Sequence, residues 1–387
     1  MFARPAILLS LILGLVAGRG PSSRFSNGLA RTPPMGWNSW NHFACDVSAQ
    51  LIKETADAMA KDGMRDAGYQ YVVIDDCWQV SRDASGRLVA DSLRFPGGMK
   101  PLADYVHAKG LKFGLYTDAG RHTCQGRPGT YGSEELDART FAEWGVDYVK
   151  EDWCYADGLD APTQYAKFRD ALASAGRPIV FSICEWGSNH PWEWGPETGN
   201  LWRTTGDIED RWGSMLANLD LSTQYATAAA PGGWNDPDML EVGNGGMTEE
   251  EYRAHFSLWA LLAAPLMAGN DVRTMSAATR DFLVNKEVIL VDQDSLGKQG
   301  MLVQEPAPDL QVWTKPLADG SRAVVLLNRS VLQSVIGASW HALGIHGSAR
   351  VRDLWAHADL GTFTGRFTAT VPAHGAVMVR ITPAPGR

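Results

Sequence analysis

Between residues 35 and 268, eight short apolar stretches alternate with longer amphipathic ones, and no other feature of the chain restricts its fold as much. The apolar stretches fall at 35–40, 71–75, 112–117, 146–152, 179–184, 201–205, 228–233 and 265–268. Segments with a helical repeat lie among them at 48–67, 101–109, 134–144, 163–175, 208–226 and 249–264, and a last one follows at 277–283. A tight turn cannot join two parallel strands, whereas a crossover can, and its usual content is one helix. Eight strand-helix alternations in about 250 residues therefore predict a (β/α)8 TIM barrel.

Beyond residue 288 the texture changes. Runs of strand character at 300–304, 310–316, 321–328, 349–354, 366–371 and 376–382 are separated by Pro, Gly and Asp, and no helical repeat stands out. The chain is read as α/β, with a barrel over 25–295 followed by a small all-β antiparallel sandwich domain over 296–387.

The opening residues, MFARPAILLSLILGLVAGRG, carry Arg4, an apolar run from Ala6 to Ala17 and small residues before Arg19. This is the pattern of a signal peptide, assigned to 1–18, and it predicts a secreted or periplasmic protein. The run is shorter than the roughly 20 residues of a spanning helix, and nothing later is apolar for that long, so no membrane span is expected. In an exported chain the five cysteines, Cys45, Cys77, Cys124, Cys154 and Cys184, have the numbers for two disulfides and one leftover thiol. A net charge of −9 without a Lys/Arg-rich run lacks the footprint of a nucleic-acid binder.

The charges sit where a barrel would use them. Alternate strand residues face the barrel interior, and the reactive end is the C-terminal one. Lys150 and Asp152 close the fourth stretch two residues apart, so they are expected to project together into the mouth, with Glu151 turned to the helix layer. The second stretch ends in Asp75-Asp76, the third runs on through Tyr116 to Asp118, the fifth ends in Cys184-Glu185-Trp186, and the sixth leads from Arg203 to Asp207. Asp236, Asp238 and Met239 follow the seventh. A single Asp after a strand most often caps the next helix. Capping requires neither the Lys, the Arg nor the indoles, and six clusters on one face make a ring of carboxylates with two cations and several Trp.

Such a ring suits a neutral polyhydroxylated ligand, because carboxylates accept from adjacent hydroxyls and indole faces cover the C–H faces of a pyranose. Two carboxyls flanking a sugar ring are also what glycoside hydrolysis uses. A divalent-metal hydrolase is the competing reading; against it, His42, His107, His122 and His190 form neither an H-x-H nor an H-E-x-x-H pattern.

Seven ordered motifs carry a resemblance: MGWNSW (35–40), YVVIDDCW (71–78), YTDAGRHTC (116–124), VKEDWC (149–154), CEWG (184–187), WRTTGDI (202–208) and GGWNDPDML (232–240). Together the chain from residue 31 to about 296 resembles the α-galactosidase and α-N-acetylgalactosaminidase members of glycoside hydrolase family 27. The resemblance implies a retaining double displacement on terminal α-galactose, without metal or organic cofactor. It implies Asp152 as nucleophile and Asp207 as acid/base. It likewise implies Asp75 and Asp76 as acceptors for the 4- and 6-hydroxyls, Trp40 as an aromatic wall, Tyr116, Lys150, Glu185 and Arg203 around the scissile sugar, and Asp238 and Met239 at the floor. Cys45–Cys77 and Cys124–Cys154 match family disulfides, which leaves Cys184 free; Cys184 and Trp186 match residues that crowd the sugar's C2 and leave no space for an acetamido group.

Lys150 is expected to keep Asp152 ionised, while the other acid must hold a proton. Arg203 is therefore expected to serve the sugar and not to pair with Asp207, whose pKa it would depress. The run Glu151-Asp152-Trp153 departs from the family's commoner Tyr-Asp-Asn, and Trp153 is expected to reshape the rim of the pocket. The rival substrates are α-N-acetylgalactosaminides and β-L-arabinopyranosides. A sugar-binding protein without catalysis is the rival of another class, and the presence of both Asp152 and Asp207 weighs against it.

Overall fold

A computed structural model describes residues 24–384, and the signal-peptide assignment at 1–18 lies outside the described residues. Eight parallel strands form the central sheet in the order Leu266–Ala268, Met35–Asn38, Tyr71–Ile74, Lys112–Asp118, Tyr148–Asp152, Val180–Ile183, Leu201–Arg203 and Trp234–Asp236. The sheet closes just past its last strand. There the Leu240 N–H donates to the Met267 carbonyl at 2.8 Å, and the Leu240 carbonyl accepts from the Gly269 N–H at 3.0 Å.

The strand period of two separates the barrel's contents. Tyr71, Val73, Tyr148, Val180, Leu201, Trp234 and Met267 pack in the interior, whereas Val72, Ile74, Phe113, Leu115, Val149, Phe181, Ile183 and Trp202 enter the helix layer. The interior is crowded. A Cβ on Gly114 would come within 2.7 Å of a Val73 methyl and 3.2 Å of the Tyr148 Cβ, so the third strand has room for a hydrogen only. On this packed floor rest the inward polar residues of the strand ends.

Several boundaries differ from expectation. The helix expected at 48–67 is broken into Ala49–Lys61 and Met64–Ala67 at Gly63, whose φ of +88° a helix cannot contain. The seventh strand, expected at 228–233, is Trp234–Asp236: Pro231 has no N–H and Gly232 has φ +98°, so 230–233 is a turn and Asp236 lies in the strand itself. The helix expected at 208–226 starts only at Trp212, which leaves 207–211 as a loop at the barrel mouth. A hairpin, Gln79–Arg82 with Leu88–Ala90, was not anticipated.

The C-terminal region contains a six-stranded antiparallel sheet in the order Met301–Ala307, Leu310–Pro316, Arg322–Asn328, Ala376–Pro383, Ser348–Asp353 and Ala358–Thr364. Ser334–Ser339 and Arg366–Val371 pair as a second, two-stranded sheet. The strands Ser334–Ser339 and Ala358–Thr364 escape sequence reading: the second is largely exposed, and the first buries only Ile336 and Ala338, on either side of Gly337. Helices Lys286–Asp292 and Trp340–Leu343 correct the expectation of none beyond residue 288; both are short, and each starts at a side-chain cap, Asn285 and Ser339.

The six-stranded sheet is apolar on both faces. Val312, Val324, Leu326, Val379 and Ile381 make the core of the sandwich, and Trp313, Val325, Leu327 and Met378 join the barrel's own helix-layer core. Across that junction Lys315, fully buried, donates from Nζ to the carbonyls of Val291 at 2.6 Å and of Ala260 and Asp292 at 3.4 Å. Its ammonium serves carbonyls at the C-terminal end of Lys286–Asp292, where the helix dipole favours a cation. Burial lowers the Lys315 pKa to about 8, against the pull of Asp292.

Lys315→Ala leaves these acceptors unpaired in a void, and it is expected to lower stability by about 3 kcal/mol. Urea unfolding measures it as a lower midpoint at unchanged slope; an unmoved midpoint would mean that the contact does not hold the two domains together.

Candidate active site

A cavity of about 410 Å³ opens at the C-terminal end of the barrel. Trp40, Asp75, Asp76, Tyr116, Lys150, Asp152, Trp186, Arg203, Asp207, Asp238 and Met239 line it, together with Asn41 and Cys124. No sequence signal marks Asn41; it is carried in by the short helix Trp40–Phe43 and hydrogen-bonds to Glu241. Cys124 reaches the wall because its sulfur is bonded to Cys154. Cys45 and Cys77 are also bonded, and Cys184 is free and buried.

Each carboxylate is fixed by its own donors. Asp75 Oδ2 accepts from Asn38 Nδ2 at 2.7 Å and from Lys150 Nζ at 2.9 Å. Asp76 accepts from Thr123 Oγ1 at 2.8 Å and from the N–H groups of Gln125 at 2.9 Å and Cys77 at 2.6 Å. Burial raises the Asp76 pKa, and these bonds restrain the rise. Asp238 holds φ +84° while its oxygens accept from the N–H groups of Ile208 and Met239, both at 2.8 Å, so it ties down the loop that carries Asp207.

Lys150 is a partner of Asp75 and not, as the spacing suggests, of Asp152. Burial acts to lower its pKa, but Asp75, Cys184 and Asp152 outweigh burial and hold the ammonium well above its ordinary value. Asp152 accepts from Tyr116 Oη and from the Trp153 N–H, both at 3.0 Å. Burial pushes the Asp152 pKa up to about 6, with Lys150 and the Tyr116 bond opposing.

Arg203 corrects an expectation, because it does pair with Asp207. Its Nη2 lies 3.0 Å from Asp207 Oδ1 and 2.9 Å from Asp238 Oδ2. Burial favours a raised Asp207 pKa, yet Arg203 and Lys150 outweigh it and hold the carboxyl below the usual range. The Asp207 side chain is 65% exposed, whereas Arg203 is buried, so the ion pair joins the floor of the cavity to its open rim.

Three further residues stand elsewhere than expected. Glu185 does not line the cavity: its Oε2 accepts from the backbone and side-chain nitrogens of Asn189, at 2.5 and 2.7 Å, and staples its own loop. Burial lifts the Glu185 pKa to about 7. Cys184 lies one layer below the cavity with Ser182 and Asp236, its sulfur 3.6 Å from Arg203 Nη1. Trp153 turns away from the rim and stacks on Tyr165 at 5.4 Å, because the residue after Asp152 points into the helix layer, as Glu151 does.

Asp118, Cys124, Asp152 and Cys154 converge within 4.8 Å, as metal ligands would. Both sulfurs are committed to one disulfide, so the set offers two carboxylates and no thiolate. A larger groove of about 810 Å³, lined by Phe25, Leu172, Ile179 and Phe181 among others, contains no carboxylate. Of the two, the cavity at the barrel mouth is the one that combines carboxylates with buried cations.

Comparison with known proteins agrees with this geometry. The family model described as alpha galactosidase A matches residues 32–294, and the model of the alpha galactosidase C-terminal beta sandwich domain matches 307–381. An α-galactosidase of Oryza sativa subsp. japonica is 53% identical over 363 residues, 93% of this chain and 87% of the relative. The crystal structure of α-galactosidase I from Mortierella vinacea, 39% identical, covers 93% of this chain and 100% of its own, with a TM-score of 0.88. The α-galactosidase of Saccharomyces cerevisiae with raffinose, 32% identical, covers 92% of this chain and 99% of its own, with a TM-score of 0.89. The match thus runs along nearly the whole length of barrel and sandwich, and the chain belongs to the α-galactosidase (melibiase) family, glycoside hydrolase family 27.

Proposed function

We propose that the protein hydrolyses terminal non-reducing α-D-galactose from oligosaccharides or galactomannans by double displacement, with Asp152 as nucleophile and Asp207 as acid/base. One observation carries the assignment of roles. Asp152 is buried and held at both oxygens, while Asp207 stands at the open rim where a leaving group departs and water arrives. Asp152 attacks C1 from the β face as Asp207 protonates the glycosidic oxygen; Asp207 then takes a proton from the water that cleaves the β-galactosyl ester.

Asp207 begins this cycle paired with Arg203. A galactose in the cavity draws the guanidinium toward its hydroxyls and shuts water from the carboxyl, and both changes raise the Asp207 pKa toward that of an acid catalyst. Asp75 and Asp76 are locked by their own donors, so they accept the 4- and 6-hydroxyls without reorganising. Trp40 covers the ring, and Trp186, with Cys184 beneath, restricts space at C2. The two disulfides support export to a secreted or periplasmic location.

Asp152→Ala is expected to abolish turnover of nitrophenyl α-galactoside, and azide should restore it with formation of β-galactosyl azide. Asp207→Ala should lose about 10²–10⁴-fold, and azide should give the α-galactosyl azide instead. Proton NMR of the azides and of the first-formed galactose separates the roles; β-galactose as first product would exclude both.

A proton on Asp152 removes the nucleophile, so kcat/KM should fall as pH drops through about 6. An acidic limb at the ordinary aspartate value of about 4 would detach it from Asp152. On a glycoside panel, α-galactoside should exceed α-N-acetylgalactosaminide by more than about tenfold. It should also exceed β-L-arabinopyranoside, which lacks the 6-hydroxymethyl group and leaves a buried acceptor unpaired at a cost of about 1–3 kcal/mol. A preference for either rival would reassign the substrate.

A further inference from the structure

Asp207 has little to aim it. Its side chain is 65% exposed, and its ionic partner, Arg203, is drawn toward the sugar in the proposed cycle. What then fixes the carboxyl against the glycosidic oxygen is the backbone of loop 207–211. Asp238 holds that loop at the Ile208 N–H. A second anchor lies two residues further on, outside the cavity.

Tyr252 Oη donates to the Asp210 carboxylate, 2.8 Å from Oδ2 and 3.0 Å from Oδ1, and Oδ2 also accepts from the Gly246 N–H at 2.5 Å. The same Oη accepts from the N–H groups of Gly245 at 2.6 Å and Met247 at 3.3 Å. One phenol thus ties loop 207–211 to the turn that precedes helix Glu249–Leu262. The two backbones are in close contact there, because a Cβ on Gly246 would sit 2.2 Å from the Asp210 carbonyl oxygen. Tyr252 is buried, and neither it nor Asp210 lines the cavity.

The anchor reaches into the C-terminal domain. Glu251, the neighbour of Tyr252, closes a capping box with Thr248: its Oε2 accepts from the Thr248 N–H at 2.8 Å. Its Oε1 lies 2.9 Å from Nδ1 of His374. The His374 ring also stacks on Trp212, at 5.2 Å and 18°, and Trp212 is the first residue of the helix that receives loop 207–211. His374 therefore touches both sides of the anchor. Adhesion of the domains does not call for it, since Trp313, Val325, Leu327, Met378 and Lys315 make the buried junction, while the His374 side chain is 33% exposed.

We propose that Tyr252 and His374 are positioning residues for Asp207, and that through them the sandwich domain takes part in aiming the acid/base. This inference rests on the reading of Asp207 as acid/base. A misplacement of about 1 Å can cost about 10²-fold in a step that depends on alignment, and proton delivery to the leaving oxygen is such a step.

The test compares kcat/KM on methyl α-D-galactoside, whose alkoxide leaves only when protonated, with kcat/KM on 2,4-dinitrophenyl α-D-galactoside, whose phenolate leaves unaided. In Tyr252→Phe, which removes Oη alone, the first should fall about tenfold and the second less than about twofold. His374→Ala should lower the same ratio about threefold, and it carries the test alone if the first variant does not fold. Loss of folded enzyme lowers both values in proportion and cannot produce the split. Equal effects on both substrates, or none, overturn the positioning role. Asp207→Ala should show the split more strongly than either variant; if it loses both substrates alike, the acid/base assignment itself is overturned.

Discussion

Two buried cations impose the arrangement of the barrel mouth. Lys150 and Arg203 project inward from the fourth and sixth strands above a floor of aromatic and aliphatic side chains, where an unpaired charge would cost several kcal/mol. Each therefore requires carboxylates, and those carboxylates in turn require donors of their own. Asp75 meets Lys150 and is held by Asn38 from the first strand. Asp238 meets Arg203 and holds the Ile208 N–H. Turns after the second, sixth and seventh strands are thus fixed by these two sets of paired charges.

The two sets also differentiate carboxyls of identical chemistry. Asp152 is kept from water, with Tyr116 and a backbone N–H on its oxygens, so it has a single orientation and a raised pKa. Asp207 is at the rim and takes its charge state from Arg203, a partner that a bound sugar can draw away. Asp118 shows a third outcome: burial and its neighbour Asp152 push its pKa up to about 9, and its oxygens serve the N–H groups of Gly120 and Cys154 as a fastener between loops. Position relative to water and to the two cations thus gives three carboxyls of the same chemistry three different environments.

The parts of this legible in the sequence are those governed by period. Alternation of strand and helix patterns yields the barrel, and alternation within 148–152 puts Lys150 and Asp152 inside and Glu151 outside. What depends on partners was not legible. Nothing local tells that Lys150 meets Asp75, that Arg203 meets Asp207, or that Glu185 closes its own loop onto Asn189, because each contact is decided by the course of the loops that bring the partners together. Boundaries failed where Gly and Pro set them, at Gly63 and at Pro231-Gly232, and a strand was missed at Ala358–Thr364, where both faces are largely exposed.

Lys315 has a consequence for the order in which the chain is made. The helices it serves, Glu249–Leu262 and Lys286–Asp292, leave the ribosome before it does, and until it arrives their buried carbonyls have no ammonium to meet. Trp313, Val325, Leu327 and Met378, which complete the barrel's helix-layer core, come later still or beside it. A nascent chain that has finished its eighth strand thus has a closed ring of strands with one open flank of apolar surface. Covering that flank waits for the last strands of the chain, so the barrel, although its ring closes early, acquires its full hydrophobic core only as synthesis nears its end.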